Sequence, residues 1–344
     1  MAVTINTIAK HTGLSRQTVA FVLGDRPHLF REETRNKVFE AAERLGYRRN
    51  AAAVAMTRGR YNALGLLQTS KVGLGLVHGN MLAALMEEMR VIGMHLSLGQ
   101  VDDEVLTDEA ALPNLMNAWA VDGLIISYVA DFPQRLTEIL ERYRLPAIWT
   151  NVVRPFDAVH PDDYGGVREA TRRLLEMGHR SIGFLRYHEF VHYSCAARSK
   201  GYQDAMTAAG LQPRMLGRPV DVSLPHHSRH FDVQCQDVDQ WLSAADRPTA
   251  VIVDDDEVVP ILVHQCALKG IAIGRDMSVI QVSRDLLAPL GTRLATARVP
   301  TGDIGHMAVP LLLKKIKTPE TQLPTVAVPY HFVHMDSSCV AVKR

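Results

Sequence analysis

Residues 4–23 constrain this chain more than any other stretch. They read Thr4-Ile5-Asn6-Thr7-Ile8-Ala9-Lys10-His11-Thr12-Gly13-Leu14-Ser15-Arg16-Gln17-Thr18-Val19-Ala20-Phe21-Val22-Leu23. Ile5, Ile8 and Ala9 share one helical face. Gly13 stands where a tight turn needs a residue without a Cβ. Ser15 suits the N-cap of a second helix, whose buried stripe is Val19, Val22 and Leu23. Small Ala9 lets the two helices cross closely. Arg16 and Gln17 face outward at the second helix's start, and these side chains pair with guanine and adenine edges in the major groove. An ordinary helical hairpin inside a core is the alternative, but turn glycine, cap and polar tip agree on a helix-turn-helix and so imply DNA as a partner.

The charge distribution points the same way. Residues 1–60 hold 11 Lys/Arg against 5 Asp/Glu, which leaves 27 against 32 for the remainder of the 344 residues. A basic head on a mildly acidic body fits a DNA reader joined to something that does not touch DNA. The composition, 47% apolar and 22% charged, supports real cores in two or three domains. The N-terminus lacks a charged segment followed by an apolar run, and no stretch approaches the roughly 18 apolar residues of a membrane span. Cys195, Cys235, Cys266 and Cys339 show no C-x-x-C spacing and read as reduced thiols, so a cytoplasmic location is expected.

Three domains are expected. Residues 1–47 form the helix-turn-helix head: Gly24-Asp25-Arg26-Pro27 breaks the second helix, Glu32-Glu33-Thr34 opens a third, and Gly46 stops it. Residues 48–60 are either a simple tether or a hinge that becomes helical only with a partner. Residues 61–344 alternate strand and helix. Strand candidates are 63–67, 96–98, 123–126, 147–149, 181–185, 250–253 and 278–282. Helix candidates are 81–92, 112–119, 134–143, 166–177, 199–209, 237–244 and 258–268. This alternation implies two parallel-sheet α/β units facing one another across a cleft, with a ligand at the carboxyl ends of the strands. The N-subdomain is expected over about 61–161 and 292–321, and the C-subdomain over about 162–291 and 322–344.

The chain resembles the lactose-repressor/galactose-repressor (LacI/GalR) family of bacterial transcription regulators over essentially its full length. The residues that carry the resemblance are Val3-Thr4-Ile5, Ile8-Ala9-Lys10, Gly13-Leu14-Ser15, Glu33-Thr34-Arg35, Ala41-Ala42-Glu43 and Leu45-Gly46-Tyr47-Arg48 in the head. In the core they are Val121-Asp122-Gly123-Leu124-Ile125, Leu174-Leu175-Glu176-Met177-Gly178-His179-Arg180-Ser181-Ile182 and Arg198-Ser199-Lys200-Gly201-Tyr202. The resemblance implies a homodimeric repressor with a two-lobed, periplasmic-binding-protein-like core. Each head would read one half of a near-palindromic operator. Arg16 and Gln17 then read bases, and Ser15, Thr18, Thr34, Tyr47 and Asn50 position phosphates. Met56 wedges the minor groove, and Thr4 and Ala53 complete the expected contact set. Phe21 either contacts a thymine methyl or packs against the head. Arg49 stands where the family carries a hinge proline, and Ala20 replaces a frequent serine.

The resemblance also implies a small-molecule effector between the lobes. Thr69, Ser70, Ser127, Asn151, Arg198, Asp255 and Ser283 are the expected contacts. The fork of Arg198 suits a carboxylate, phosphate or vicinal diol, and the alternative for it is a surface ion pair. Gln281-Val282-Ser283-Arg284 departs from the family's usual Gly-aromatic-Asp-Asp. The expected effector is a sugar or sugar acid, and this loss of a sugar-gripping carboxylate with gain of a cation points away from a plain monosaccharide and toward one that carries an acidic group. No cofactor is expected. Asp254-Asp255-Asp256-Glu257 could bind Mg²⁺ and His226, His227 and His230 could bind Zn²⁺, but neither set has the companions that such chemistry needs. Two rival readings are a solute-binding receptor and a cleft-carboxylate enzyme on the same core. The basic head argues against the first, and the missing phosphoryl-transfer and nucleophile-elbow motifs argue against the second.

Overall fold

The computed structural model describes residues 3–24, 26–48, 59–69, 77–128, 133–187, 192–217, 231–254 and 256–341. The chain divides into two compact units, Met1–Tyr61 and Asn62–Arg344. Residues 49–58 of the expected hinge lie outside the described residues.

Among its described residues the first unit has three α-helices, α1 (Ile5–Thr12), α2 (Arg16–Leu23) and α3 (Glu32–Arg44), with a 3₁₀ turn at Pro27–Leu29 between the last two. Gly13 caps α1 in the left-handed region at φ 70°, a conformation that costs a side chain with a Cβ about 1 kcal/mol or more. Ile8, Val19, Val22, Val38, Ala41 and Ala42 are the buried centre. Each larger member contributes roughly 1.5–3 kcal/mol on burial. Leu23, expected in the stripe, is only half-buried because it ends α2 at the rim.

The second unit holds two six-stranded sheets of the same winding. The first runs β2–β1–β3–β4–β5–β11 from edge to edge, with β1 (Ala63–Thr69), β2 (His95–Val101), β3 (Leu124–Ser127), β4 (Ala147–Thr150), β5 (Ala158–Pro161) and β11 (Val326–Val328). The second runs β7–β6–β8–β9–β10–β12, with β6 (Ile182–Leu185), β7 (Arg214–Leu216), β8 (Ala250–Val253), β9 (Ser278–Ser283), β10 (Ala295–Arg298) and β12 (His331–Val333). Every pairing is parallel except β10 with β12. The inner strands β3, β4, β6, β8 and β9 are buried on both faces, as helix-covered parallel strands must be. In each sheet the strand order reverses beside the first strand, and such a switch point places a ligand at the strands' carboxyl ends.

Helices α4 (Gly79–Ile92), α5 (Asp103–Thr107), α6 (Ala111–Trp119) and α7 (Gln134–Arg142) flank the first sheet, and α12 (Thr301–Lys317) joins them. Helices α8 (Asp163–Glu176), α9 (Tyr193–Ala208), α10 (Phe231–Ser243) and α11 (Val258–Leu268) cover the second, with a short α13 (Met335–Ser338) against β9 and β10.

The subdomain boundaries differ from those expected. Strand β10 pairs with β9, so 295–298 belong to the second lobe rather than the first. Strand β11 pairs with β5, so 326–328 belong to the first lobe rather than the second. The chain therefore crosses between lobes near 162, near 299 and near 329. Strands β7, β11 and β12 escaped the reading because they are three residues long, and β5 and β10 because polar residues interrupt them, unlike the four-residue apolar runs of β6 and β8. Helix α12 escaped it because Pro310 sits inside the helix and reads as a breaker. Helices α8, α9 and α10 begin earlier than expected, at Asp163, Tyr193 and Phe231.

Candidate DNA-reading surface and effector cleft

The head's polar surface follows from its caps. Ser15 Oγ accepts the Thr18 backbone N–H at 3.0 Å and lies 2.9 Å from Thr18 Oγ1, which fixes the start of α2. Arg16 and Gln17, the next two residues, are exposed there. Thr4 closes α1 with a capping box: its Oγ1 accepts from Thr7 N at 3.3 Å and Thr7 Oγ1 accepts from Thr4 N at 3.2 Å. Thr34 lies half-buried in the first turn of α3, and Tyr47 is half-buried against the head core. The Phe21 ring packs on Phe30 with centroids 6.5 Å apart, and the Arg26 guanidinium covers it at 5.3 Å. That arrangement corresponds to the packing alternative for Phe21. Asn50, Ala53 and Met56 lie outside the described residues.

In the second unit four of the expected effector residues stand at the carboxyl ends of strands. Thr69 ends β1, Ser127 ends β3 and is buried, and Asn151 follows β4 in the left-handed region at φ 62°. Ser283 ends β9 and is buried, with Oγ accepting from Asp285 N at 3.1 Å. Ser70 and Asp255 lie outside the described residues, as do His226, His227 and His230.

Arg198 is no surface ion pair. Its side chain is 15% exposed and sits among two carboxylates. Nε donates to Asp163 Oδ1 at 2.7 Å and to the Tyr330 hydroxyl at 3.0 Å, and Nη1 donates to Asp254 Oδ1 at 2.8 Å. Tyr330 in turn donates to Asp163 Oδ1 at 2.5 Å. Arg186, just past β6, stands 3.8 Å from Asp254 Oδ2. Two cations thus face two carboxylates, and the acidic effector group expected opposite Arg198 meets partners that the chain itself supplies. Gly201 makes the geometry possible. A Cβ there would stand 2.3 Å from the Tyr164 carbonyl, so only glycine lets α9 lie on α8 closely enough for Arg198 to reach Asp163.

Burial shapes the titration of this hub. It pushes the Asp254 carboxyl upward, against the pull of Arg198 and Arg186. It opposes the Arg198 cation, but Tyr330, Asp163 and Asp254 more than offset it and hold that group well above its ordinary value. His192 is pushed down by burial, despite its bond to the Asn151 carbonyl. That bond, Nε2 to oxygen at 2.9 Å, links the two lobes, while Nδ1 faces Ser194 Oγ at 2.7 Å. Burial and the nearby Asp163 raise Tyr193.

Asp163, Tyr330 and His192 were missed as site residues from the sequence, and Asp254 was noted only within the acidic run Asp254–Glu257. Their only signal was position: Asp254 directly follows a buried strand, and Asp163 begins a helix behind Pro161-Asp162. Asp163 and Tyr330 also stand beside two of the interlobe crossovers, so the arginine hub is tied to the segments about which the lobes can turn.

Comparisons with known proteins bear on the fold and the family. The family of bacterial regulatory proteins of the lacI type matches residues 4–50, and a periplasmic binding protein-like domain matches residues 171–338. Catabolite control protein A of Priestia megaterium is 25% identical over 342 residues, covering 98% of this chain and 100% of that protein. The HTH-type transcriptional regulator AglR of Rhizobium meliloti (strain 1021) is 28% identical, covering 94% and 92%. The HTH-type transcriptional repressor PurR of Salmonella newport (strain SL254) is 28% identical, covering 94% of each chain. The lac repressor dimer bound to operator and the anti-inducer ONPF superposes with a TM-score of 0.78 at 22% identity, covering 98% of this chain and 99% of that one. A CelR–cellobiose complex superposes at 0.60 and 20% identity, covering 97% and 99%. These full-length relatives are transcription regulators rather than enzymes. With its lacI-type head and its doubly wound two-lobed core, the chain belongs to the LacI family of bacterial regulatory proteins.

Proposed function

We propose that the protein is a cytoplasmic, homodimeric repressor that binds a near-palindromic operator and is controlled by a sugar-like effector held between the lobes. The observation that carries the DNA half is the pair Arg16 and Gln17, exposed on the first turn of a helix capped by Ser15 in a strongly basic head. Arg16 and Gln17 read base edges. Ser15, Thr18, Thr34, Tyr47 and Asn50 hold phosphates, with Thr4 beside them. Ala53 and Met56 enter the minor groove. The exposed α2 tip accounts for DNA recognition, which a solute receptor or an enzyme on the same core would not need.

The effector contacts Arg198, with Ser127 and Asn151 from the first lobe and Thr69, Ser70, Asp255 and Ser283 around them. The balance of Arg186 and Arg198 against Asp163 and Asp254 favours a neutral, hydroxyl-bearing ligand over a sugar acid. Binding alters the angle between the lobes and so the spacing of the two 48–60 segments in the dimer. Operator and effector are then coupled reciprocally. The test is to retain genomic fragments of the source organism on the full-length protein and challenge the complexes with neutral sugars and sugar acids. Release or tightening by one neutral sugar supports the reading. Retention of no fragment above random DNA overturns it.

A further inference from the structure

The end of β9 holds the opposite lobe. Asp285 follows Ser283 and Arg284, and its backbone N–H is fixed by Ser283 Oγ at 3.1 Å. Both carboxylate oxygens then point across the cleft: Oδ2 lies 3.1 Å from His78 Nε2, and Oδ1 accepts from Asn80 Nδ2 at 2.9 Å. The same Asn80 amide nitrogen donates to the Arg284 carbonyl at 3.2 Å. His78 caps α4 and Asn80 sits in its first turn. The inner face of that helix, Met81, Ala84, Leu85 and Met89, is buried in the first lobe. The other end of the bridge is a fully buried central strand of the second lobe. Rigid elements on both sides are therefore joined by a short polar clasp.

We propose that Asp285 is a positioning residue that closes the effector cleft from within, so that the lobes hold each other without an effector spanning them. Ser283 aims the carboxylate, and His78 and Asn80 receive it. The clasp is partly exposed, with Asp285 at 53%. Contacts of that kind move a two-state equilibrium by about tenfold rather than by orders of magnitude. That is enough to keep the cleft closed and still allow a ligand to enter. The consequence for regulation rests on reading this cleft as the effector site, but the test does not.

The test is a distance distribution between spin labels on the two lobes, at exposed Glu141 and Gln203, in the full-length effector-free protein. The labels are attached by non-cysteine chemistry, because the chain has four thiols. Labelled chains are diluted with unlabelled ones to remove distances between subunits. The native chain is expected to give one closed population. Asp285→Ala raises the share of longer distances about tenfold, with little change in melting temperature. Asn80→Ala does the same to a smaller degree and carries the test if Asp285→Ala fails to fold. Unchanged distances in whichever of these variants folds, or a fall in melting temperature without a change in distance, overturns the proposal. The readout uses neither DNA nor effector, so its failure is separate from failure of the regulator reading.

Discussion

Arg198 Nε and Asp163 Oδ1 are 2.7 Å apart, with the arginine side chain 15% exposed and the aspartate 1%. An ion pair this deep repays its desolvation only as far as hydrogen bonds complete it: Tyr330 and Asp254 supply such bonds, while Asp163 Oδ2 is buried without a hydrogen-bond partner among the described residues. Removing Asp163 leaves Arg186 and Arg198 sharing the single carboxylate of Asp254, so one buried positive charge goes unbalanced. Asp163→Ala is expected to cost about 3–5 kcal/mol of stability. Tyr330→Phe, which deletes a single hydroxyl, is expected to cost about 1 kcal/mol. Chemical denaturation of the two variants checks the ratio, and equal losses would mean that Asp163 is not the centre of the hub.

Base reading by Arg16 makes a sharper prediction. Arg16→Ala should lose roughly 1–3 kcal/mol of operator affinity and relax the preference at one base pair. Competition binding against a panel of single-position operator variants measures both. A uniform loss across the panel would assign Arg16 to phosphate instead.

The Ser15 cap is testable apart from DNA. Its hydroxyl accepts from Thr18 N, and Ser15→Ala removes that acceptor at a cost of about 1 kcal/mol to the head. Ser15→Gly should cost only a few tenths. Hydrogen exchange of the α2 amides should rise in that order. No difference between the two variants would mean that the bond contributes nothing.

The sequence displayed the head almost completely, because Gly13, Ser15 and the spacing of Ile8, Val19 and Val22 act within a few residues of one another. The alternation from Ala63 onward disclosed two sheets for the same reason. The hub was hidden because residues 163, 198, 254 and 330 meet only in three dimensions. Arg198 had a local signal in its spacing to Gly201, and Asp254 stood out only as part of an acidic run after a strand. The exchanges of β10 and β11 between lobes depend on strand pairing, which short segments such as Val326–Val328 do not announce. Ser283 was legible as a departure, but its role in aiming Asp285 toward His78 and Asn80 belongs to a contact more than two hundred residues long in sequence.

Acid should weaken the fold through His179. This side chain is buried, with Nδ1 2.9 Å from Thr249 Oγ1 and Nε2 3.0 Å from the Val340 carbonyl. Burial lowers its pKa, against the Val340 bond, whereas the unfolded chain protonates near about 6.5. The unfolded state therefore binds more protons below that pH. The stabilisation is full above about pH 6.5 and is lost as the pH falls. Melting temperatures between pH 7.5 and 5.5 should drop more steeply in the native protein than in His179→Gln. Parallel slopes would remove His179 from the account.

The central claim is that the basic head reads a specific duplex as one half of a symmetric pair. The most direct measurement is selection of the full-length protein on a random duplex library at a stated near-physiological salt concentration, where specific and non-specific binding separate. The account predicts enrichment of a near-palindrome whose half-site preference collapses at one position in Arg16→Ala. A library that emerges unenriched, or an enriched sequence without two-fold symmetry, would contradict it.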